Sequence, residues 1–110
     1  MKQIQNIFKG LGEVTRLRIL NLILHYQEAC IIDLQHALHF SQPKLSRHLI
    51  YLKNHGWLQD ERRGAFVFYQ LKEPLHPAAQ SVRPILFSLF DLDPQFSLDR
   101  ENFAKIERKS

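Results

Sequence analysis

The sequence is poor in cysteine and has no long hydrophobic run. Its single cysteine, Cys30, cannot form an intrachain disulfide, which excludes a small secreted scaffold held by disulfide bonds. Residues 1–6 lack the apolar core of a secretory signal. The most apolar stretch, residues 17–24, contains Arg18 and Asn21 and is far shorter than a bilayer span. We therefore expect a cytoplasmic protein with no membrane partner.

The sequence also lacks the residue patterns of an active site. It has no Ser/His/Asp arrangement, no Gly-rich phosphate loop and no paired carboxylates with catalytic spacing. His36 and His39 follow Asp33 on one predicted helix, but three such side chains on a short helix are more often a solvated polar surface than a zinc site. We expect no enzyme, no metal site and no cofactor. A small metalloenzyme is the alternative that metal analysis would test.

The composition is that of one globular domain with a basic balance. With 110 residues, 45% apolar and 24% charged, the chain can form one small core, with little left for a second domain or a deep active site. Fifteen Lys and Arg against 11 Asp and Glu give a net charge of +4 with histidine neutral, and the pI is about 9.5. The excess of positive charge favours a polyanionic partner such as nucleic acid.

Hydrophobic spacing predicts a mainly α-helical chain with a small β-hairpin. Asp33 is predicted to cap the third helix and Ser41 the fourth, while Pro84 should kink the last long helix or mark its start. We place one domain at residues 1–92 and a polar C-terminal tail, with room for a short helix, at residues 93–110. The predicted helices span residues 2–11, 13–25, 34–39, 42–54 and about 77–90, and the predicted strands span residues 57–62 and 65–71.

The third and fourth predicted helices are separated by about three residues, which is the spacing of a helix-turn-helix. Leu45, Leu49 and Leu52 should face the core, so the N-terminal half of the fourth helix presents polar side chains to the outside. Arg can bridge O6 and N7 of guanine, Gln can bridge N6 and N7 of adenine, and no carboxylate occurs in residues 41–59. We therefore predict that this helix reads the major groove of double-stranded DNA. The predicted DNA-binding residues are Ser41, Gln42, Lys44, Ser46, Arg47 and His48.

The hairpin that follows is predicted to be the wing of a winged helix-turn-helix fold. Arg62 and Arg63 precede Gly64 at its tip, where they suit a contact with DNA phosphates or the minor groove. Asp60 and Glu61 dilute this charge, and any hairpin needs polar residues at its turn. We include both arginines among the predicted DNA contacts, with a purely structural turn as the alternative.

Three motifs, in order along the chain, resemble those of the ArsR/SmtB family of winged-helix repressors. Residues 7–20, IFKGLGEVTRLRIL, are similar to the family's opening motif FKALSDPTRLRIL. Residues 41–49, SQPKLSRHL, are similar to its recognition-helix motif SQSTVSRHL, and residues 57–71, WLQDERRGAFVFYQL, to its wing motif GLVRDRREGRWVYYRL. The resemblance covers about residues 7–71. It implies a homodimer that binds an inverted-repeat operator and represses transcription until an inducer binds.

The chain departs from the family at the sensing site. Members that sense soft metals often carry ELCVCDL at the start of the third helix, whereas residues 28–34 here read EACIIDL, with Cys30 present and Ile32 at the second thiol position. Soft ions such as arsenite or cadmium bind two or more thiolates, and the chain has no other cysteine. We interpret Cys30 as a small hydrophobic residue, keep a metal- or redox-responsive repressor as the alternative, and leave the inducer unknown.

Apolar stripes on the first and last predicted helices exceed what the domain's own core requires. Such stripes favour a two-fold dimer, which would place two recognition helices about 34 Å apart, one turn of DNA. The alternative is that they only cover the chain's own core. For the whole chain, a winged-helix module that binds protein and not DNA is the competing hypothesis. The predicted dimer-interface residues are Ile4, Ile7, Phe8, Leu11, Val82, Ile85, Leu86, Leu89 and Phe90.

Overall fold

A computed structural model of the chain describes residues 1–107. Helices dominate this part of the chain, and three short strands form one antiparallel sheet. The elements are α1 (Lys2–Gly10), α2 (Val14–Tyr26), β1 (Glu28–Cys30), α3 (Ile31–Leu38), α4 (Gln42–Asn54), β2 (Leu58–Arg63), β3 (Phe66–Leu71), α5 (Pro77–Leu89) and α6 (Pro94–Glu107). Across residues 1–107, no helix has the length and apolar character that a membrane span requires.

α2 lies at the centre of the fold, as its apolar residues predict. Ile19, Leu20, Leu22 and Ile23 are fully buried and point to more than one side of the helix, so neighbouring elements cover most of its surface. Burying a side chain of this size contributes about 1.5–3 kcal/mol. The indole of Trp57 is also fully buried, and its Nε1 donates a hydrogen bond to the carbonyl oxygen of Ile7 at 2.8 Å. These contacts attach α1 and the start of the hairpin to the central core.

The predicted helix-turn-helix is present, with a corrected start for its first helix. α3 begins at Ile31 with Cys30 at its N-cap, three residues earlier than predicted, and Asp33 lies inside its first turn instead of capping it. At that position the carboxylate is close to the positive end of the helix dipole, which favours the longer helix. The turn to α4 consists of His39–Ser41, and His39 adopts a left-handed conformation with φ of 59°.

The predicted hairpin is present and pairs with a strand that the sequence did not reveal. Residues 28–30, which lie outside the predicted helices and strands, form β1 and pair with β3 in the register Ala29–Tyr69. β2 pairs with β3 from Leu58–Leu71 to Arg63–Phe66, so the turn is Gly64-Ala65 and Arg63 is the last paired residue of β2. The sheet order is β1-β3-β2, so the wing hairpin supplies the central strand β3 and the edge strand β2.

The C-terminal part of the chain is more ordered than its polarity suggested. α5 begins at Pro77, as predicted, and continues through Pro84 without ending there. The residues that we assigned to a polar tail include α6, a 14-residue helix that packs against α2 and α3. It buries Phe103 and the carboxylate of Asp99, and that carboxylate is paired with Arg18 of α2. Because its polar groups find partners in the core, a sequence with only a weak apolar pattern forms a packed helix.

Candidate nucleic-acid interface

The polar face of α4 is held outward by three leucines on the opposite side of the helix. Leu45, Leu49 and Leu52 are fully buried, as predicted. The hydroxyl of Ser41 accepts a hydrogen bond from the backbone N–H of Lys44 at 3.3 Å, so Ser41 is the N-cap that the sequence predicted. The cap fixes the first turn, and the leucines fix the rotation of the helix about its axis.

The exposed surface of α4 carries donors and no carboxylate. Gln42 and Arg47 are exposed, and Ser46 is partly exposed on the same helix. None of these three side chains has an ion-pair partner within residues 1–107. Ile50 lies one turn beyond Arg47 and is 49% exposed, although the sequence reasoning had not selected it. Its spacing of three residues from Arg47 was the signal that could have identified it.

Two cationic side chains lie over the ring of Phe40 in the turn. The ammonium of Lys44 lies 4.3 Å from the centre of the Phe40 ring, and the guanidinium carbon of Arg18 lies 4.7 Å from it. Cations at such distances are attracted to the electron-rich face of an aromatic ring. The side chain of Lys44 is therefore placed beside the turn, at the N-terminal end of α4, and is only partly exposed.

His48 lies against the start of α2. Arg16 donates from Nη1 to Nδ1 of His48 at 3.3 Å, and Glu13 Oε2 lies 3.7 Å from the same nitrogen. Partial burial lowers the pKa of His48, and the positive charges of Arg16, Arg47 and Lys44 lower it further, while Glu13 opposes them. A neutral ring that accepts from Arg16 carries its proton on Nε2. Since the side chain is only 18% exposed, we leave His48 out of the proposed DNA contacts.

The two arginines of the wing differ in their availability. Arg62 is exposed and has no ion-pair partner among the residues described. Arg63 donates two hydrogen bonds of 2.8 Å to the carboxylate of Glu28 on β1 and a further one to Glu61, and it lies over the ring of Phe68. The hydrogen bonds to Glu28 and Glu61 raise the pKa of Arg63, and the same contact lowers the pKa of Glu28. Arg63 fastens the wing to β1, so we remove it from the proposed DNA contacts.

An ion pair also fixes the wing relative to α4. Nζ of Lys53, in the last turn of α4, lies 2.9 Å from Oδ1 of Asp60 on β2. The hydrogen bond to Asp60 raises the pKa of Lys53. α4 and the hairpin are thus connected by both the buried core and a polar contact at the surface.

The predicted dimer residues divide into a buried and an exposed group. Ile7, Leu86 and Phe90 are buried within the chain's own core, so a partner cannot cover them. Leu11 and Val82 are partly buried against that core. The remaining four side chains are between 43% and 57% exposed and form the part of the stripes that is open to a partner: Ile4, Phe8, Ile85 and Leu89.

The single thiol lies inside the protein. Cys30 is 5% exposed, at the junction of β1 and α3. His36 and His39 are exposed. Residues 1–107 bring together no group of three or more His, Cys, Asp or Glu side chains in an arrangement that could hold a metal ion.

The fold and the exposed face of α4 define a winged helix-turn-helix protein. Residues 13–59 match the model of the bacterial regulatory protein family known as the arsR family. The chain is 48% identical over 65 residues to an arsenic resistance transcriptional regulator of Pseudomonas putida, covering 59% of this chain and 51% of that protein. It is 35% identical over 66 residues to the transcriptional repressor SdpR of Bacillus subtilis, covering 60% of this chain and 72% of SdpR.

A solved structure agrees with these matches. The transcriptional regulator HlyU of Vibrio vulnificus aligns with a TM-score of 0.64 and 30% identity, over 76% of this chain and 83% of HlyU. The protein belongs to the ArsR family of transcriptional regulators. Its matches with the first three curated relatives span between 51% and 61% of the lengths of those proteins.

Proposed function

We propose that the chain is a sequence-specific DNA-binding transcriptional repressor that inserts α4 into the major groove of an operator. The observation that carries this proposal is the carboxylate-free face on which Gln42, Ser46 and Arg47 are accessible while three buried leucines fix the helix. A helix fits the major groove, where Arg and Gln side chains can form paired hydrogen bonds with guanine and adenine. Ile50 adds an apolar contact suited to a thymine methyl group.

Contacts with the DNA backbone fix the register of this helix. Arg62 on the wing supplies a cation that is free to meet a phosphate. The N-terminal end of α4 adds the positive end of its helix dipole, which favours a phosphate oxygen. Ser41 and Lys44 lie at this end and complete the proposed contact surface.

The repressor is proposed to act as a homodimer on an inverted repeat. The half-exposed apolar side chains on α1 and α5, two helices that contact each other, leave apolar surface that a second copy can cover by two-fold symmetry. Two recognition helices related in this way meet successive major grooves about 34 Å apart. The cytoplasm, where bacterial DNA is found, is the proposed location, and no catalytic activity forms part of the proposal.

The inducer is left unassigned. Some relatives are arsenic resistance regulators by name, but arsenite binds two or more thiolates and this chain has one cysteine, which is buried. We therefore propose no arsenic site within the chain.

Titration of selected DNA tests this function. Duplexes are selected from a random pool, and the affinity of the best site is measured by fluorescence anisotropy for the unmodified protein, Arg47→Ala and the control Arg83→Ala. Arg83 is exposed on α5, away from α4. We expect Arg47→Ala to weaken specific binding by about 1–3 kcal/mol, or about 5- to 150-fold, and Arg83→Ala to leave it unchanged.

Salt dependence and the selected sequence distinguish a DNA-binding repressor from a winged-helix module that binds only protein. Several phosphate contacts predict a steep linear fall of log affinity with log salt concentration, and a dimer predicts an inverted repeat. A winged-helix module that binds only protein would select no sequence and would show equal, weak DNA affinity for both variants. That result would overturn the proposal.

A further inference from the structure

A cavity of about 550 Å³ lies between α1, the C-terminal end of α4 and the segment that joins β3 to α5. Its volume is within the range of small-molecule binding sites. Ile7, Pro74 and Leu75 contribute apolar surface, and the remaining lining is mostly amide, imidazole and ammonium groups. No carboxylate from the described part of the chain lines it. A ligand that fits this surface has an apolar body and an acceptor-rich, negatively charged end.

The hydrogen bonds around His76 engage the side-chain oxygen of Gln3, which lines the cavity. Nδ1 of His76 accepts from the backbone N–H of Ala78 at 3.0 Å, so the neutral ring carries its proton on Nε2. Nε2 therefore donates to Oε1 of Gln3, which lies 3.0 Å away. With its oxygen engaged, Gln3 presents its amide NH₂ group, which can only donate.

A lysine at the cavity adds a positive charge that favours an anion. Lys72 is exposed, and its backbone N–H is fixed by a 2.9 Å bond to the carbonyl oxygen of Trp57. Its ammonium has no ion-pair partner among residues 1–107, whereas that of Lys53 is paired with Asp60.

DNA contact does not account for these groups. The proposed DNA-reading residues lie at the start of α4, and the cavity adjoins its end. Gln42 and Asn54 are twelve residues apart on this helix, or about 18 Å along its axis. We infer that the cavity is a binding site for a small organic carboxylate, with the carboxylate held by Lys72 and Gln3 and the apolar body against Leu75. Binding at this place contacts the last turn of the recognition helix, so an effect on DNA affinity follows only if the proposed function also holds.

A binding titration without DNA tests the site independently of that function. The probes are benzoate, its neutral analogue benzamide and inorganic phosphate, added at constant ionic strength to ¹⁵N-labelled full-length protein. The reporter is the amide resonance of Gly56, which lines the cavity, and Gly64 at the hairpin tip is the internal reference. We expect saturable shifts of Gly56 with benzoate at a Kd of about 1 mM or below. We expect at least tenfold weaker binding of benzamide and phosphate, because one lacks the charge and the other the apolar body.

Matched lysine variants test whether the ammonium of Lys72 binds the carboxylate of benzoate. Lys72→Met should weaken benzoate binding at least fivefold, and Lys105→Met, at an exposed lysine of α6, should leave it unchanged. Any one of three results would overturn the inference. They are the absence of a saturable Gly56 shift, binding of benzamide as tight as that of benzoate, and an equal loss of benzoate affinity in Lys72→Met and Lys105→Met. Because no DNA is present, any of these outcomes leaves the test of DNA binding unaffected.

Discussion

The buried ion pair between α6 and α2 gives the sharpest prediction about stability. Asp99 is completely buried and accepts hydrogen bonds from Nε and Nη2 of Arg18, at 2.8 and 2.9 Å, and from Nε2 of Gln95 at 2.8 Å. Replacing Asp99 with Asn keeps the shape of the side chain. The substitution removes the negative charge and places an NH₂ group, itself a donor, where a carboxylate oxygen accepted a hydrogen bond. Arg18 therefore loses its counterion in a site with little water.

The expected loss follows from this geometry. Breaking a buried ion pair from one side costs about 3–5 kcal/mol, because the other charge remains without a partner. Arg18 is 15% exposed and also lies 3.5 Å from the carbonyl oxygen of Leu38, which softens the penalty. We therefore expect Asp99→Asn to lower the free energy of unfolding by about 3 kcal/mol, at the lower end of that range.

Urea unfolding followed by the fluorescence of Trp57, the only tryptophan and fully buried, measures this loss. With a slope of about 1–3 kcal/mol per molar urea, the midpoint should fall by about 1–3 M at fixed protein concentration. The control is Asp91→Asn, since Asp91 is 77% exposed beside Arg100 and its pair should contribute less than about 1 kcal/mol. Equal midpoints for Asp99→Asn and Asp91→Asn would refute the reasoning.

Three further predictions concern a turn, a histidine and the wing. Gly56 has φ of 89°, and an added Cβ would lie 2.9 Å from a side-chain carbon of α1, whereas Gly64 has φ of 62° in open space. Gly56→Ala should therefore lower the urea midpoint more than Gly64→Ala, and the reverse order would contradict the steric argument. The pKa of His48 is lowered by folding, mainly through burial, so the unfolded chain binds the proton more readily. The stability associated with the neutral ring is fully present above the unfolded pKa and is lost as the pH falls from that value through the lower pKa of the folded protein. His48→Gln should therefore flatten the fall of the urea midpoint on acidification, and parallel pH curves for the two proteins would count against this. In DNA titrations, Arg62→Ala should reduce the salt slope by about 1. Arg63→Ala should leave that slope unchanged, and equal slopes for both variants would show that the assignment of the two arginines is wrong.

The sequence predicts those parts of the fold that local patterns determine. Leu45, Leu49 and Leu52 fix the face of α4 through helical periodicity, and Ser41 marks its start through capping chemistry. Both features act within one or two turns of a helix, so the sequence was sufficient to identify the candidate DNA-reading surface. The three residues of β1 carry no such local signal, because their pairing with β3 depends on a partner about forty residues away.

Two long-range ion pairs are further features that the sequence did not reveal. Arg63 was predicted to meet DNA because it stands next to Arg62, yet its partner Glu28 lies 35 residues earlier in the chain. The pairing of Arg18 with Asp99 spans 81 residues. Neither partner is visible from composition or periodicity, since a charged residue gives the same sequence signal whether it is solvated or paired.

The same ion pair connects α6 with the helix-turn-helix. Asp99 fixes the guanidinium of Arg18, and that guanidinium lies over the ring of Phe40. Lys44, in the first turn of α4, also lies over this ring. Phe40 is therefore positioned from both helices, and the N-terminal end of α4 is held by contacts outside the motif that identifies it. Although its residues were predicted to form a polar tail, α6 thus contributes to the placement of the surface proposed to read DNA, because its Asp99 holds the guanidinium that contacts Phe40.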